Sequence, residues 1–102
     1  MKFTSQIEDH TGTVKLEGRF TFETHPAFKS CTQGLLDNRE LLRVILDMEG
    51  VSYMDASSLG MILLLRESTE TRNLELALKR PSASVRRLLE IVQFEKIFEI
   101  MP

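Results

Sequence analysis

The sequence predicts a single α/β domain with one mixed β-sheet of four to five strands, about four helices and an N-terminal β-hairpin. Three observations support this fold class. Apolar and polar residues alternate near the N-terminus, two short and nearly continuous apolar runs follow, and segments with helical periodicity lie between and after those runs. The chain has 102 residues, the usual size of one domain with one hydrophobic core.

The first two strands are predicted from alternation. Residues 14–22 alternate apolar and polar side chains, which indicates a strand with one buried face. Phe3, Ser5 and Ile7 show a weaker alternation of the same kind. Residues 9–12 are rich in turn formers, so we expect the two strands to form a hairpin.

A helix and a buried strand are predicted next. Pro26 suits a first helical turn, with Thr24 or His25 as the cap, and residues 28–36 place apolar side chains on one face. Residues 37–38, Asp-Asn, are expected to end this helix. Residues 41–48 are almost all apolar, which is typical of a strand covered on both faces, with helices on one or both sides of the sheet.

The rest of the chain predicts a βαβ unit and a further helix. A helical pattern over residues 58–71 separates the first apolar run from a second strand at residues 74–79, and the crossover should be right-handed. Residues 81–82 begin a helix whose apolar positions run from 85 to 92. The apolar residues between 94 and 100 predict a short helix or an edge strand packed on the core.

Composition excludes several classes of function. The chain has 13 Lys and Arg against 15 Asp and Glu, a formal charge of −2, so no nucleic-acid partner is expected. The longest purely apolar run, residues 61–65, is far too short to cross a bilayer, so no membrane partner is expected. The N-terminus shows no secretory pattern and Cys31 is the single cysteine, which together predict the reducing cytoplasm.

No metal site, cofactor or catalytic residue is predicted. His10 and His25 have no acidic or cysteine partner at metal-ligand spacing, and Cys31 lies on an apolar helix face, where a buried and inert thiol is the expected outcome. The chain has no glycine-rich phosphate loop and no nucleophile elbow. Ser57 could act as a nucleophile only with a general base beside it. Neither histidine can be placed near Ser57 from the sequence, so we do not expect an enzyme.

The most unusual stretch is residues 51–61, VSYMDASSLGM, between the third predicted strand and the βαβ helix. Functional groups of open α/β sheets gather outside the carboxyl ends of strands, which is where this turn should lie. Asp55, Ser57 and Ser58 are helix-starting residue types. We expect Ser57 to be the N-cap, with free backbone N–H groups beyond it. Capping alone explains such a cluster without any further function.

Residues 54–60, Met-Asp-Ala-Ser-Ser-Leu-Gly, resemble the signature of STAS domains of the anti-sigma factor antagonist type. That signature usually shows Asp-Ser-Ser-Gly-Leu-Gly between an apolar strand and a helix. The resemblance extends to the two apolar strands, to residues 85–90 (Val-Arg-Arg-Leu-Leu-Glu) and to residues 16–18 (Leu-Glu-Gly) of the hairpin. It implies that residues 1–102 form one STAS domain.

The resemblance also implies a regulator switched by phosphorylation. In this family the second serine of the signature is phosphorylated by a serine kinase that is also an anti-sigma factor, and a PP2C-type phosphatase resets it. That position is Ser57 here. Ala56 stands where many relatives have serine and Ser58 where many have glycine, so Ser58 is the alternative acceptor. The implied partner-binding residues are Asp55, Ala56, Ser57, Ser58, Leu59, Gly60 and Met61.

Two alternatives stay open at this stage. The run at residues 61–65 predicts a helix sandwiched between the sheet and a neighbouring helix, but Met61 or Leu64 could instead remain exposed beside Ser57 and contact a partner. The alternative function is a STAS scaffold or a small-ligand-sensing domain in another signalling pathway, with Ser57 only a helix cap. A discrete cavity near Gly18 or residues 47–57 would favour that alternative.

Overall fold

The computed structural model describes all 102 residues. The order of elements is β1 (Lys2–Glu8), β2 (Thr11–Phe20), a first 3₁₀ turn (Phe22–Thr24), α1 (His25–Leu36), β3 (Arg43–Met54), α2 (Ala56–Thr71), β4 (Glu75–Lys79), α3 (Ala83–Ile91), a second 3₁₀ turn (Phe94–Lys96) and β5 (Glu99–Met101). The predicted α/β class and the hairpin are confirmed. The sheet has five strands, and the expected fourth helix is present only as 3₁₀ turns.

The hairpin of β1 and β2 closes through a tight turn at Asp9 and His10. Both residues have positive φ, 51° and 67°, the geometry of the two-residue turn whose twist matches that of paired strands. The His10 carbonyl accepts hydrogen bonds from the amides of Leu42 and Arg43. The tip of the hairpin is therefore fixed to the start of β3.

All three helices pack on one face of the sheet. The strands lie in chain order, β1-β2-β3-β4-β5, with β1 antiparallel and the others parallel. Because right-handed crossovers that step in one direction place their helices on one side, α1, α2 and α3 form a single layer. Their buried side chains share one core cluster with alternate residues of the strands. The principal members are Val14, Leu16, Leu46, Leu78, Phe28, Leu35, Ile62, Leu65, Val85 and Leu89.

The opposite face of the sheet carries no helix, which is one of the two arrangements expected, and residues 44–48 of β3 are buried on both faces as predicted. Arg43, Ile45 and Asp47 alternate with the core residues of β3 and face this open side. Ile45 and Asp47 are buried on this side, and the Arg80 guanidinium lies against the Asp47 carboxylate. Arg43 forms ion pairs with Glu75 at 3.7 Å and with Glu99 at 2.9 Å across this face.

Strand β3 is longer than the sequence predicted, ending at Met54 instead of residue 48. Its register with β2 shifts twice, between Lys15 and Glu17 and between Gly18 and Arg19, and each shift adds a residue to β3. Gly50 lies at the first irregularity, where a Cβ would come within 3.0 Å of the Leu16 carbonyl oxygen. These irregularities carry β3 onward to the start of α2.

The C-terminal region contains both of the alternatives expected for it. Helix α3 is confirmed, and it is followed by a 3₁₀ turn and then by the short edge strand β5. Phe94 begins this 3₁₀ turn and Phe98 directly precedes β5. Their ring centroids are 5.0 Å apart, and both residues are buried in the core. None of the helices has the length and apolar character needed to cross a bilayer.

Candidate functional site

Helix α2 is capped by Asp55, so the expectation that Ser57 is the N-cap is wrong. Asp55 has extended backbone angles, and its Oδ1 accepts a hydrogen bond of 2.9 Å from the Ser58 amide. The cause is the length of β3, which ends at Met54 and makes Ala56 the first helical residue. Ser57 is therefore the second residue of the helix.

Asp55 also joins α2 to the end of β2. Its Oδ2 accepts a hydrogen bond of 3.1 Å from the Phe22 amide, and its own amide donates to the Phe20 carbonyl at 3.3 Å. One side chain thus satisfies an amide of the first 3₁₀ turn and an amide of α2. The two segments are held side by side at the carboxyl end of the sheet.

The two candidate serines lie in opposite environments. Ser58 is 0 % exposed, and its hydroxyl donates a 2.6 Å hydrogen bond to the Asp55 carbonyl. Ser57 is exposed. The amides of Ala56 and Ser57 precede the first residue that can reach a carbonyl within the helix, so they are free to bind an anion.

The implied partner-binding residues divide in the same way. Leu59 and Met61 are buried together with Ser58, whereas Asp55 is half-buried and the others reach the surface. The exposed side of the first turns of α2 consists of Ala56, Ser57, Gly60, Leu63 and Leu64, which we call the α2 outer face.

The α2 outer face shows which of Met61 and Leu64 remains exposed. Leu64 is 56 % exposed, whereas Met61 is buried in the core, so Leu64 is the apolar residue that a partner could contact. A Cβ on Gly60 would meet no atom within 4 Å. The outer face has no charge until Glu67. Helix α2 packs on the sheet and beside α1 as expected, but Leu63 and Leu64 stay exposed on this side.

Two exposed aromatic residues near this site were not identified as site residues from the sequence. Phe22 is 67 % exposed, although alternation had assigned it to the buried face of the second strand. The strand ends at Phe20, so the period of two no longer applies at Phe22. Tyr53 is also exposed, with its ring centroid 4.4 Å from the guanidinium carbon of Arg19. The available signal for Tyr53 was its place just before Asp55, in the stretch singled out from the sequence.

Asp47, on the open face of the sheet, is occupied by internal contacts. Its Oδ2 lies 2.9 Å from Arg80 Nη2, and its Oδ1 accepts a hydrogen bond from the Glu49 amide. Burial alone would raise the pKa of Asp47, but the Glu49 amide and the Arg80 guanidinium outweigh it and hold that pKa below its ordinary value. The carboxylate is thus charged and paired.

Two cavities lie away from Gly18 and residues 47–57. One, of about 450 Å³, runs between α1 and α2 over an apolar floor that includes Phe28, Met61 and Leu65. The other, of about 490 Å³, lies between β1 and α1 and includes Cys31, whose thiol pKa is raised by burial. No group of three or more His, Cys, Asp or Glu side chains is arranged to hold a metal ion.

Sequence comparison identifies relatives over nearly the full length. The STAS domain family matches residues 2–102. The chain is 34 % identical over 88 residues to a STAS-domain containing protein of Pseudomonas aeruginosa, covering 86 % of this chain and 85 % of that protein. It is 26 % identical over 104 residues to the anti-sigma F factor antagonist of Paenibacillus polymyxa, covering 100 % of this chain and 86 % of that protein.

Structure comparison shows the same fold in the Bacillus protein SpoIIAA, an anti-sigma factor antagonist. Its unphosphorylated form matches with a TM-score of 0.75 at 18 % identity, over 99 % of this chain and 87 % of that one. Its phosphorylated form matches with a TM-score of 0.75 at 17 % identity, over 97 % and 90 %. With the sequence signature, the sheet order and the family match in agreement, the chain belongs to the STAS domain family, and its relatives include anti-sigma factor antagonists.

Proposed function

We propose that this protein is a phosphorylation-switched regulator of the anti-sigma factor antagonist kind. The unphosphorylated form binds an anti-sigma factor that is also a serine kinase, and phosphorylation of Ser57 blocks that binding. The observation that carries the proposal is the contrast at the start of α2, where Ser57 is exposed and Ser58 is 0 % exposed. A relative named as an antagonist and a similar fold solved in both phosphorylation states support it.

The α2 outer face has the properties of a protein contact surface. Leu63 and Leu64 are exposed apolar side chains on a helix that no other element covers. Ala56 and Gly60 add little bulk beside them, so a partner backbone can approach closely. Phe22, tied to the same site through Asp55, supplies a further exposed apolar side chain. Aromatic side chains such as Phe22 are enriched at the centre of protein interfaces, and the leucines beside it add apolar area that a partner can bury.

A phosphate on Ser57 is compatible with the fold. It adds a charge of about −1.5 to −2 and three acceptor oxygens. The free amides of Ala56 and Ser57 can donate to those oxygens, and the positive end of the α2 dipole adds up to about 2 kcal/mol of stabilisation. The folded domain should therefore be unchanged by phosphorylation.

A bound partner is affected differently. Phosphorylation places a dianion at the N-terminal end of a face that otherwise has no charge before Glu67. Burying that charge in an apolar contact, or setting it against an acidic partner group, costs several kcal/mol. Since about 1.4 kcal/mol changes the affinity tenfold, the partner dissociates while the regulator stays folded.

The cycle closes with dephosphorylation. Ser57 is at the surface, so a phosphatase of the PP2C type can reach the modified residue as readily as the kinase reaches the free hydroxyl. In this scheme the protein catalyses no reaction, and it acts in the cytoplasm with its kinase and phosphatase.

Phosphosite mapping tests the proposal directly. The wild type, Ser57→Ala and Ser58→Ala variants are incubated with ATP and the serine kinases of the source genome, and the products are analysed by mass spectrometry. We expect modification of the wild type and of Ser58→Ala, which serves as the matched control, and none of Ser57→Ala. Modification that persists in Ser57→Ala, or a phosphorylated form that still captures the kinase, overturns the proposal.

The second candidate is a ligand-sensing STAS domain whose site would be the groove of about 450 Å³ between α1 and α2, instead of the expected region near Gly18 and residues 47–57. That volume is within the range of small-molecule sites, and the groove has an apolar floor with polar residues along its rim. A compound that raises the unfolding temperature of the wild type, but not of a Leu64→Lys variant, would identify this function. Partner capture that is unchanged by the same compound would separate it from the switch.

A further inference from the structure

The two edges of the sheet differ in how they are protected. Strand β5 has three residues, its Glu99 is held by an ion pair with Arg43, and Pro102 follows it. Strand β1 has seven residues, contains no proline, and pairs with β2 along its whole length without a bulge. Edge strands are normally shortened, bulged or interrupted to prevent pairing with another chain. The outer edge of β1 has none of these protections.

The sequence of β1, Lys-Phe-Thr-Ser-Gln-Ile-Glu, is complementary to itself. When two copies pair antiparallel about a twofold axis at Ser5, Lys2 lies opposite Glu8 and Phe3 lies opposite Ile7. Thr4 then lies opposite Gln6, so every position meets a side chain of matching character. A shift of two residues in either direction removes both the opposite-charge pair and the apolar pair.

The side of β1 that faces the helix layer has room for these apolar side chains. Phe3 is half-buried and packs against the core, with its ring centroid 6.1 Å from that of Phe28. Ile7, on the same side of the strand, is 44 % exposed. The cavity of about 490 Å³ between β1 and α1 lies beside Ile7 and is bordered by Ser30, Cys31 and Gly34. A Cβ on Gly34 would meet no atom within 4 Å.

From the open edge, the self-complementary register and the cavity beside it, we propose that a second copy of this chain docks on β1. The two sheets join into one continuous sheet, with the helix layers on the same side. Lys2 of each copy pairs with Glu8 of the other on the open face, and Ile7 of each copy packs on Phe3 of the other beside the α1 cavity. The α2 outer face takes no part in this contact, so the proposal is independent of the phosphorylation switch.

Sedimentation velocity over about 5 to 500 μM, with charge-reversal variants, tests the register. Lys2→Glu and Glu8→Lys each create two like-charge pairs across the twofold axis, and we expect each to raise the dimer dissociation constant about tenfold or more. The double variant, Lys2→Glu with Glu8→Lys, restores opposite charges and should recover the dimer. An equimolar mixture of the two single variants should form a heterodimer, because two acidic strand ends on one chain then meet two basic strand ends on the other.

Further variants separate loss of pairing from loss of folding. Ile7→Lys, at an exposed position, should prevent dimer formation while the thermal unfolding of the monomer stays close to that of the wild type. Glu95→Lys, an exposed charge reversal in the second 3₁₀ turn, is the matched control and should leave the dimer intact. A wild type that stays monomeric at the highest concentration overturns the proposal. So does a dimer that the single reversals leave unchanged, or a double variant that fails to recover.

Discussion

The first turn of α2 has an outward and an inward side, and adjacent serines lie on the two sides. Ser57 faces solvent, whereas Ser58 is fully buried and its amide and hydroxyl both bond to Asp55. One residue step rotates a side chain by about 100° around a helix axis. The same chemical group is therefore a possible modification site at one position and a structural element at the next.

This difference shows that the start of the helix, rather than the number of hydroxyl groups, determines which serine can be modified. Asp55 caps α2 and so fixes the rotation of every later residue. Ala56, which is also exposed, has no hydroxyl that could compete with Ser57. The motif thus presents a single accessible hydroxyl at a helix N-terminus. The following variants test each part of this contrast, from the largest expected effect to the smallest.

A charge placed on the inward side should have the largest effect. Ser58→Asp buries a carboxylate against the Asp55 carbonyl, where the charge meets an acceptor instead of a donor. We expect it to lower the free energy of unfolding by roughly 3–5 kcal/mol. Urea unfolding measures this loss, and Ser58→Ala, which removes only the hydroxyl, is the control with a smaller effect. If Ser58→Asp were as stable as the wild type, the side chain at position 58 would not be buried as the structure shows.

Removal of the cap should have an intermediate effect. Asp55→Ala leaves the amides of Ser58 and Phe22 without their acceptor, and we expect a loss of about 1–2 kcal/mol. Asp55→Asn, whose side chain can also cap, is the matched control and should retain most of the stability. Hydrogen exchange of the two amides should accelerate in the alanine variant. Unchanged protection at Phe22 would show that the turn is held by other contacts.

Asp47 provides a buried charge that, unlike Ser58→Asp, has a partner. Its folded-state pKa is lowered because the Glu49 amide and Arg80 outweigh the effect of burial. Its contribution to stability is therefore fully present above the ordinary value of 3.8 and is lost as the pH falls through the lower, folded-state pKa. We expect the unfolding free energies of the wild type and Asp47→Asn to differ most at neutral pH and to converge in acid. A difference that is independent of pH would contradict this assignment.

A charge placed on the outward side should have the smallest effect on the fold. Ser57→Asp adds an acidic side chain to the first turn of α2, where the helix dipole favours it, so we expect a change of at most about 0.5 kcal/mol in unfolding free energy. The same variant should weaken capture of the kinase partner, whereas Ser57→Ala should not. Equal destabilisation by Ser57→Asp and Ser58→Asp would remove the contrast between the two sides.

Much of the fold followed from sequence patterns, because alternation and helical periodicity are local properties. The hairpin, α2, β4 and α3 were all predicted from them, and the family resemblance was confirmed by the match over residues 2–102. The predicted cap at Ser57 failed for a long-range reason. The end of β3 is set by its irregular pairing with β2, and no local pattern shows where that pairing stops.

The errors at the site have the same origin. Phe22 continues the alternation of β2 in sequence, but the backbone has already turned away from the sheet. Leu64 and Met61 are equally apolar in the sequence, but the rotation of α2 on the sheet places Met61 in the core cluster and leaves Leu64 exposed beside the groove between α1 and α2. Which side of the sheet stays without helices could not be predicted from the apolar run at residues 41–48, which correctly indicated a strand buried on both faces. The side without helices depends on the direction in which all three crossovers step.

The order of the strands has a consequence for how the chain folds. Each strand after β1 pairs with the strand that precedes it in the sequence. Its first pairing partner is therefore already synthesised when the strand itself emerges. The hairpin, with its tight turn, can form while the remainder is still being synthesised, and each new crossover extends an existing template. Growth from the N-terminus keeps the search local at each stage and leaves β1 at the starting end of the assembly.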